Sequence, residues 1–258
     1  MKGVVCAGGR ATRLGELTRI SNKHLLPVWK YPMIYYPLRT LEQAGIRNIL
    51  IVTGQEHAGD FIDLLGDGQV YDREGNKLFD LDLTYKVQTK PLGIAHAISL
   101  AEDFANGEKI VVILGDNIIE GNIIEAVKRF DQQPSGARIF LKEVPDPWRF
   151  GCPRFSEDGR ILEIIEKPTP EKGYEKPPSN YAVVGIYMYD SDVFDIIRSL
   201  KPSERGELEI TDVNNAYLKR GDLEWEILRG WWRDVGTISS LYSTSALIEQ
   251  TGCNKLEL

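Results

Sequence analysis

The sequence has few cysteines, and they are widely spaced. Only three occur in 258 residues, Cys6, Cys152 and Cys253, and none belongs to a CxxC pair. Disulfide frameworks and cysteine zinc sites need paired or closely spaced cysteines. The pattern therefore argues against both and favours a reduced protein.

Long apolar runs are also missing. No stretch approaches the roughly 18 residues that a membrane-spanning helix needs. The apolar run at the start is short and is interrupted by Gly8 and Gly9, which does not fit a signal peptide. We therefore expect a soluble, cytoplasmic protein that does not act at a membrane.

Positive charge is not in excess. Lys and Arg together number 31 against 38 Asp and Glu, which gives a net charge of -7. A general nucleic-acid binder needs a basic surface, so no nucleic-acid partner is expected, whereas a small phosphate ligand needs only a few local cations. Hydrophobic residues make up 42% and charged residues 27%, which is typical of a folded globular domain.

Strand and helix patterns alternate along the first half of the chain. Apolar, β-branched runs predict strands at 4–6, 48–52, 83–87 and 110–114. Amphipathic runs between them predict helices at 34–44, 56–65, 93–104 and 119–130. This alternation is typical of right-handed crossovers and a parallel sheet.

The second half is richer in strands. Strands are predicted at 137–143, 161–166, 181–189 and 223–228, a turn-rich segment at 167–179, and helices at 191–200, 211–220 and 237–250. No repeat or low-complexity linker divides the chain. We therefore expect one α/β domain over residues 1–258, with the second half inserted on and around the same sheet.

A glycine pair follows the first predicted strand. Gly8 and Gly9 would lie at the carboxyl end of that strand, where parallel sheets bind ligands and backbone amides can receive phosphate oxygens. The GxGxxG and P-loop spacings both fail here. Arg13 and Lys23 follow, and two such cations suit a polyphosphate. The alternative is an ordinary βα turn with solvated cations.

Two aspartates are candidate metal ligands. Asp116 follows the most apolar predicted strand, and Asp234 lies in the segment WWRDVG. Together they could hold one Mg²⁺, with substrate phosphates and water completing its shell. The alternatives are a turn or helix-cap role for Asp116 and an ion pair with Arg233 or another cation for Asp234.

Several other residues carry weaker signals. The three histidines lie far apart with no nucleophile beside them, so surface or packing roles are favoured for His24, His57 and His96. Packing is also favoured over base stacking for Trp231 and Trp232. Gln88 ends a predicted strand, where its amide could read a pyrimidine edge, and Pro168 would aim the preceding Lys167.

Nine segments together resemble one family, the sugar-1-phosphate nucleotidyltransferases. They occur in the family's order and span residues 7–237, and they read AGGRATRL, SNKHLLPV, PMIYYPL, QTKPLGIAHA, LGDN, EKP, SNYAVVGIYMYD, RGELEITDVN and WRDVGT. The segments LLPV with PMIYYPL, and RGELEITDVN, are the specific ones.

The resemblance implies a Rossmann-like α/β fold with a mostly parallel mixed sheet, flanking helices and an inserted sugar-binding β region. Residues 1–133 would form a nucleotide-binding half, and 134–258 a sugar-binding half with a closing helix. The implied reaction is Mg²⁺-dependent transfer of a thymidylyl group from dTTP to α-D-glucose 1-phosphate, giving dTDP-glucose and pyrophosphate. The resemblance also implies a homo-oligomer.

The resemblance assigns roles residue by residue. Arg13, Lys23 and Lys167 match catalytic positions, and Asp116 and Asp234 match the metal aspartates. The nucleotide-binding positions are Gly8, Gly9, Gln88, Gly93 and Asp116. The sugar-binding positions are Gly151, Glu166, Lys167, Val183 and Arg205.

Two departures from the family pattern affect these roles. Ala11 replaces a usual glycine of the front loop, so strain is expected there if the position needs a positive φ. Residues 150–154, FGCPR, differ in a sugar-contacting segment. UTP or another sugar phosphate therefore stays open as substrate, as does a non-catalytic subunit that binds sugar nucleotides.

Overall fold

The computed structural model describes residues 1–9 and 12–252. Ala11, where strain was expected, and Cys253 lie outside this range. The strands are β1 (Lys2–Ala7), β2 (Pro27–Val28), β3 (Tyr31–Pro32), β4 (Asn48–Gly54), β5 (Gln69–Tyr71), β6 (Lys77–Asp80), β7 (Asp82–Gln88), β8 (Ile110–Leu114), β9 (Asn117–Ile119), β10 (Ala137–Glu143), β11 (Gly151–Phe155), β12 (Ile161–Glu166), β13 (Tyr181–Tyr189), β14 (Leu223–Ile227) and β15 (Trp232–Asp234).

A seven-stranded sheet forms the centre of the molecule, in the order β14-β10-β13-β8-β1-β4-β7. Strand β13 is antiparallel to both of its neighbours, and the other neighbouring pairs are parallel. The predicted mostly parallel mixed α/β sheet is therefore confirmed. Strands from both predicted halves lie side by side in it, with β8 of the first half next to β13 of the second.

Helices cover both faces of this sheet because its central strands are apolar on both sides. Along β1, Val5 and Ala7 face one hydrophobic cluster, and Val4 and Cys6 face the other. Helices α1 (Tyr35–Gln43), α2 (Ala58–Leu65), α5 (Ile124–Gln132) and α8 (Ile238–Thr251) pack on the first face. Helices α3 (Ile94–Ser99), α4 (Glu102–Ala105), α6 (Asp192–Ser199) and α7 (Ile210–Arg220) pack on the second.

Two helix predictions were wrong in extent. The helix predicted at 93–104 is broken after Ser99, and a separate short helix begins at Glu102. The helix predicted at 119–130 begins only at Ile124, because Asn117–Ile119 forms strand β9. The apolar run at 118–119 pairs with another strand, and this tertiary contact outweighs the helical pattern.

Two short strand pairs outside the main sheet position the site. Strands β11 and β12 form an antiparallel hairpin in which Gly151 is opposite Glu166. Strand β15 pairs antiparallel with β9, so that Asp234 is opposite Asn117. This second pairing brings the segment WWRDVG to the end of β8.

The described part of the chain contains no helix that is both long and apolar enough to span a membrane. Its two cysteines, Cys6 and Cys152, are free and buried. The absence of a disulfide between them agrees with the cysteine spacing.

Candidate active site

The candidate site is a cleft of about 680 Å³ at the carboxyl ends of the parallel strands. It lies between these strand ends, the β11–β12 hairpin and the segment before α7. Every candidate site residue from the sequence lines it: Gly8, Gly9, Arg13, Lys23, Gln88, Gly93, Asp116, Gly151, Glu166, Lys167, Val183, Arg205 and Asp234.

Two carboxylates meet on one side of the cleft. Asp116 follows β8, and the β9–β15 pairing delivers Asp234 to it. The adjoining backbone N–H of Val235 donates to the carbonyl oxygen of Asp116 at 2.8 Å, which locks the two segments together. Burial and, secondly, the negative charge of Asp116 together raise the pKa of Asp234 to about 6.

Asp116 is held in its ionised form. Lys23 donates to its Oδ2, and the Nδ2 of Asn117 donates to its Oδ1 at 3.0 Å. Burial opposes ionisation, but the charge and hydrogen bond of Lys23, with His24 and the Asn117 amide, together outweigh it, so the pKa of Asp116 lies below its usual range. The alternative in which Asp116 is only a turn or helix-cap residue therefore does not account for its contact with Lys23.

Asp234 has a different environment. Its Oδ1 is buried and has no hydrogen-bond partner within the described residues. The expected alternative, an ion pair with Arg233, does not form, because Arg233 donates to the carbonyl oxygen of Trp232 at 3.1 Å. The positive charges of Lys23, Arg149 and Arg13 act on Asp234 from across the cleft.

Asn117 organises the acidic pair, and sequence reasoning missed it. Its Oδ1 accepts from the backbone N–H of Gly185 at 2.9 Å and from the indole Nε1 of Trp232 at 2.7 Å. Trp232 is also buried and lies 5.0 Å from the ring of Phe150. It therefore packs, as the sequence indicated, and in addition anchors Asn117. The LGDN segment carried the only available signal for this role.

The donor set suits magnesium. Mg²⁺ commonly binds one or two protein carboxylates and fills its shell with water and substrate phosphate oxygens. Asp116 and Asp234 supply two such carboxylates, and the buried, unpartnered Oδ1 of Asp234 needs a partner. Across the described ranges, no group of three or more His, Cys, Asp and Glu forms a ready-made metal cage. The residues therefore fit a metal that arrives with phosphate.

The carboxyl ends of β1 and β7, with Gly93, form a second wall. A Cβ placed on Gly8 would lie 3.1 Å from Gln88 Oε1, so this glycine leaves the amide oxygen room beside the cleft. Gly93 has a φ of 99°, and a Cβ there would lie 2.4 Å from the carbonyl oxygen of Leu208. Glycine is required at 93 because the segment 207–208 packs directly on it.

The opposite wall is polar and carries two cations. Glu166 ends β12 and accepts from Thr211 Oγ1 at 2.6 Å. Its other oxygen lies 3.6 Å from Lys167 Nζ and 3.7 Å from Arg205 Nη2. Arg205 also donates to both oxygens of Glu209 at 2.9 Å. Both cations are partly exposed and are available to an anion entering the cleft.

Lys167 has an unusual backbone for a lysine before proline. Its φ is 46°, in the left-handed region that favours glycine. Its backbone N–H donates to Phe150 O at 3.0 Å, and its carbonyl oxygen accepts from Thr169 at 2.8 Å. These contacts hold a conformation that costs free energy, which is typical of functional positions.

Three further residues line the cleft without having been singled out for it. Arg149 is exposed beside Asp234 and adds a cation. His24 is buried, and burial together with Lys23 lowers its pKa to about 3, so it is neutral. Burial, with Asp116, raises the pKa of the Cys6 thiol to about 12, so it is protonated at neutral pH and does not act as a nucleophile.

This arrangement of cations, carboxylates and glycines at the strand ends defines a phosphate-handling transferase site, and comparison with known proteins agrees. The family model described as nucleotidyl transferase matches residues 2–251. The chain belongs to this family and is a nucleotidyltransferase.

The relatives are more specific. A glucose-1-phosphate thymidylyltransferase from Xanthomonas campestris pv. campestris is 44% identical over 251 residues, which cover 96% of this chain and 80% of that protein. The structure of a candidate glucose-1-phosphate thymidylyltransferase from Bacillus anthracis, in complex with a sucrose, superposes with a TM-score of 0.88. It is 48% identical and covers 99% of this chain and 98% of its own.

A more distant structure shares the fold alone. A UDP-glucose pyrophosphorylase complexed with UDP-glucose superposes with a TM-score of 0.82 at 24% identity, covering 96% of this chain and 98% of its own. The Rossmann-like nucleotidyltransferase fold predicted for this chain is therefore confirmed.

Proposed function

We propose that this protein transfers a thymidylyl group from dTTP to α-D-glucose 1-phosphate, with Mg²⁺, giving dTDP-glucose and pyrophosphate. The observation that carries the proposal is the composition of the cleft at the strand ends. Five cations, Arg13, Lys23, Arg149, Lys167 and Arg205, line it together with the acidic pair. The names of the similar proteins support the same substrates.

The chemistry needs positioning more than covalent help. A phosphate oxygen of the sugar phosphate forms a bond to the α-phosphorus of dTTP, while the bond from that phosphorus to the β-phosphate oxygen breaks. Pyrophosphate takes the electron pair. The attacking phosphate is already an anion near neutral pH, because its second pKa is about 6, so no general base is required.

We assign Arg13 and Lys23 to the triphosphate, where they would balance the charge that develops on the leaving pyrophosphate. Lys167, with Arg205, would hold the sugar phosphate near the α-phosphorus. Glu166 and the backbone at Gly151 and Val183 would contact the sugar hydroxyls. All three line the cleft, and Gly151 is opposite Glu166 in the β11–β12 hairpin.

We assign Gly8, Gly9, Gln88 and Gly93 to the nucleotide, with Gln88 beside the base. Asp116 and Asp234 would hold Mg²⁺, which when bound supplies positive charge to the phosphate oxygens. Asn117 and the β9–β15 pairing keep the two carboxylates together.

A product assay tests the proposal. Four nucleoside triphosphates, dTTP, UTP, dCTP and ATP, are crossed with several sugar 1-phosphates in the presence of Mg²⁺, and pyrophosphate and sugar nucleotide are measured. We expect the highest kcat/KM for dTTP with glucose 1-phosphate. A preference for UTP would mean that UTP, and not dTTP, is the nucleotide substrate. Binding without any turnover would indicate a non-catalytic subunit.

Asp116→Asn separates chemistry from folding. The amide removes the negative charge that would hold the metal, so we expect kcat/KM to fall at least about a hundredfold. The thermal midpoint should shift by only a few degrees, since Asn can still accept from Lys23. Full turnover by this variant would contradict the assignment of Asp116 to the metal.

A further inference from the structure

The amide of Gln88 is held in one orientation by two acceptors. Its Nε2 lies 3.1 Å from the carbonyl oxygen of Gly93 and 2.8 Å from Nδ1 of His96. A carbonyl oxygen can only accept, so the nitrogen of the amide must face Gly93. Both amide hydrogens are then used, one by Gly93 and one by His96.

The second contact fixes the state of His96. Because the Gln88 nitrogen donates, Nδ1 of His96 must accept, and the imidazole carries its proton on Nε2. Burial lowers the pKa of His96, which favours this neutral form. The ring sits in the first turn of α3 behind Gln88, outside the lining of the cleft.

The amide oxygen of Gln88 is consequently turned toward the cleft. It lies 3.1 Å from the position of a Cβ on Gly8, at the carboxyl end of the neighbouring strands. Gln88 is buried and lines the cleft, so it offers an incoming base an acceptor and no donor. Thymine and uracil present an N3–H donor at their pairing edge, whereas cytosine presents an acceptor at N3.

We propose that His96 is a positioning residue for base selection: by accepting from Gln88 it holds the amide oxygen toward the cleft and so favours bases with an N3–H over cytosine. This rests on the proposed function in placing the base beside Gln88. It goes beyond that function by assigning the selectivity to a residue that does not touch the nucleotide. The sequence had favoured only a surface or packing role for His96.

The test compares dTTP with dCTP by calorimetric titration in Mg²⁺ without sugar phosphate, so that binding is measured independently of turnover. His96→Phe keeps the ring and removes the acceptor. We expect its preference for dTTP over dCTP to fall about three- to tenfold, the effect of one hydrogen bond. His96→Asn can place Oδ1 near the position of Nδ1 and should keep the preference within about twofold of the wild type.

His57→Leu is the matched control, since His57 lies outside the cleft beside Asp60 and should leave the preference unchanged. Thermal melting checks the fold of each variant, and His96→Leu is a second variant without an acceptor. An unchanged preference in both apolar variants would overturn the proposal, as would an equal loss in His96→Asn. Absence of turnover in the wild type would instead refute the proposed function, while the binding ratio still tests His96.

Discussion

Single residues in the cleft carry a cost in stability. Asp234 has a pKa raised to about 6 by burial and by Asp116, and its Oδ1 lacks a partner among the described residues. The raised pKa means that the folded protein disfavours the ionised form of this carboxyl relative to the unfolded chain. Its contribution therefore becomes more destabilising as the pH rises from about 4 through 6.

Asp234→Asn should relieve this cost while removing activity. At pH 8 we expect the free energy of unfolding, measured by denaturant titration in a chelator, to increase by roughly 1–2 kcal/mol. At pH 4 the difference should be small, because the carboxyl is then protonated in the folded protein and is largely protonated in the unfolded chain as well. The sign follows from the direction of the pKa shift.

Asp63→Asn provides the control for this comparison. Asp63 is exposed on α2 and lies away from the cleft. Its neutralisation should therefore leave the free energy of unfolding unchanged within error at both pH values. If Asp234→Asn lowered stability at pH 8, the carboxylate would be making favourable contacts that the ligand-free geometry does not contain.

The sequence allowed the chemically important residues to be predicted, but not the contacts that position them. Arg13, Lys23, Asp116 and Asp234 stand out by charge and by place after strands or in a short motif, and all four line one cleft. Asn117 does not stand out, because its role depends on contacts with Gly185 and Trp232 far along the chain. Contacts of that kind leave no local pattern.

At the scale of elements, the position of the segment before α7 depends on its close contact with Gly93. The segment before α7 packs on Gly93, with Leu208 N–H donating to Leu92 O at 2.8 Å and Ala95 N–H donating to Leu208 O at 3.3 Å. A Cβ at 93 would lie 2.4 Å from Leu208 O. The same segment carries Arg205.

Gly93→Ala should therefore displace this segment. We expect a loss of roughly 1–3 kcal/mol in unfolding free energy, from the positive φ and the clash together, and a higher KM for the sugar phosphate. Denaturant titration and steady-state kinetics measure the two effects.

Gly159→Ala is the matched control for the conformational part. Gly159 has a φ of 81°, but a Cβ there meets nothing within 4 Å. It should lose less stability than Gly93→Ala and leave the KM unchanged. Equal effects of both substitutions would mean that the approach of Leu208 to Gly93 is unimportant.

Long elements could be predicted from their periodicity, and short ones could not. Strands β4, β8 and β13 were predicted nearly at their observed bounds, from a β-branched run, a continuous apolar run and a period of two respectively. Strands β9 and β15 have three residues each, too few for any period to appear. Their pairing is nevertheless what joins the two aspartates.

At the scale of the whole molecule, the two predicted halves share one sheet. Strands β10, β13 and β14 of the second half extend the sheet that β1, β4, β7 and β8 begin. Each half alone would leave a strand edge and an apolar sheet face exposed to water. We therefore expect residues 1–133 and 134–258 to behave as one structural unit.

We accordingly expect a single cooperative unfolding transition. Scanning calorimetry of the ligand-free protein should give a calorimetric enthalpy equal to the van't Hoff enthalpy, as for one domain. Fragments divided after residue 133 should not fold separately. Two resolved transitions would contradict the prediction of a single domain.

The β9–β15 pairing also bears on the synthesis of the chain. Asp116 leaves the ribosome with the first half, but its partner Asp234 belongs to a strand made much later. Until that strand emerges, a nascent chain cannot assemble the acidic pair. The acidic pair is therefore absent from every chain whose synthesis has not yet passed residue 234.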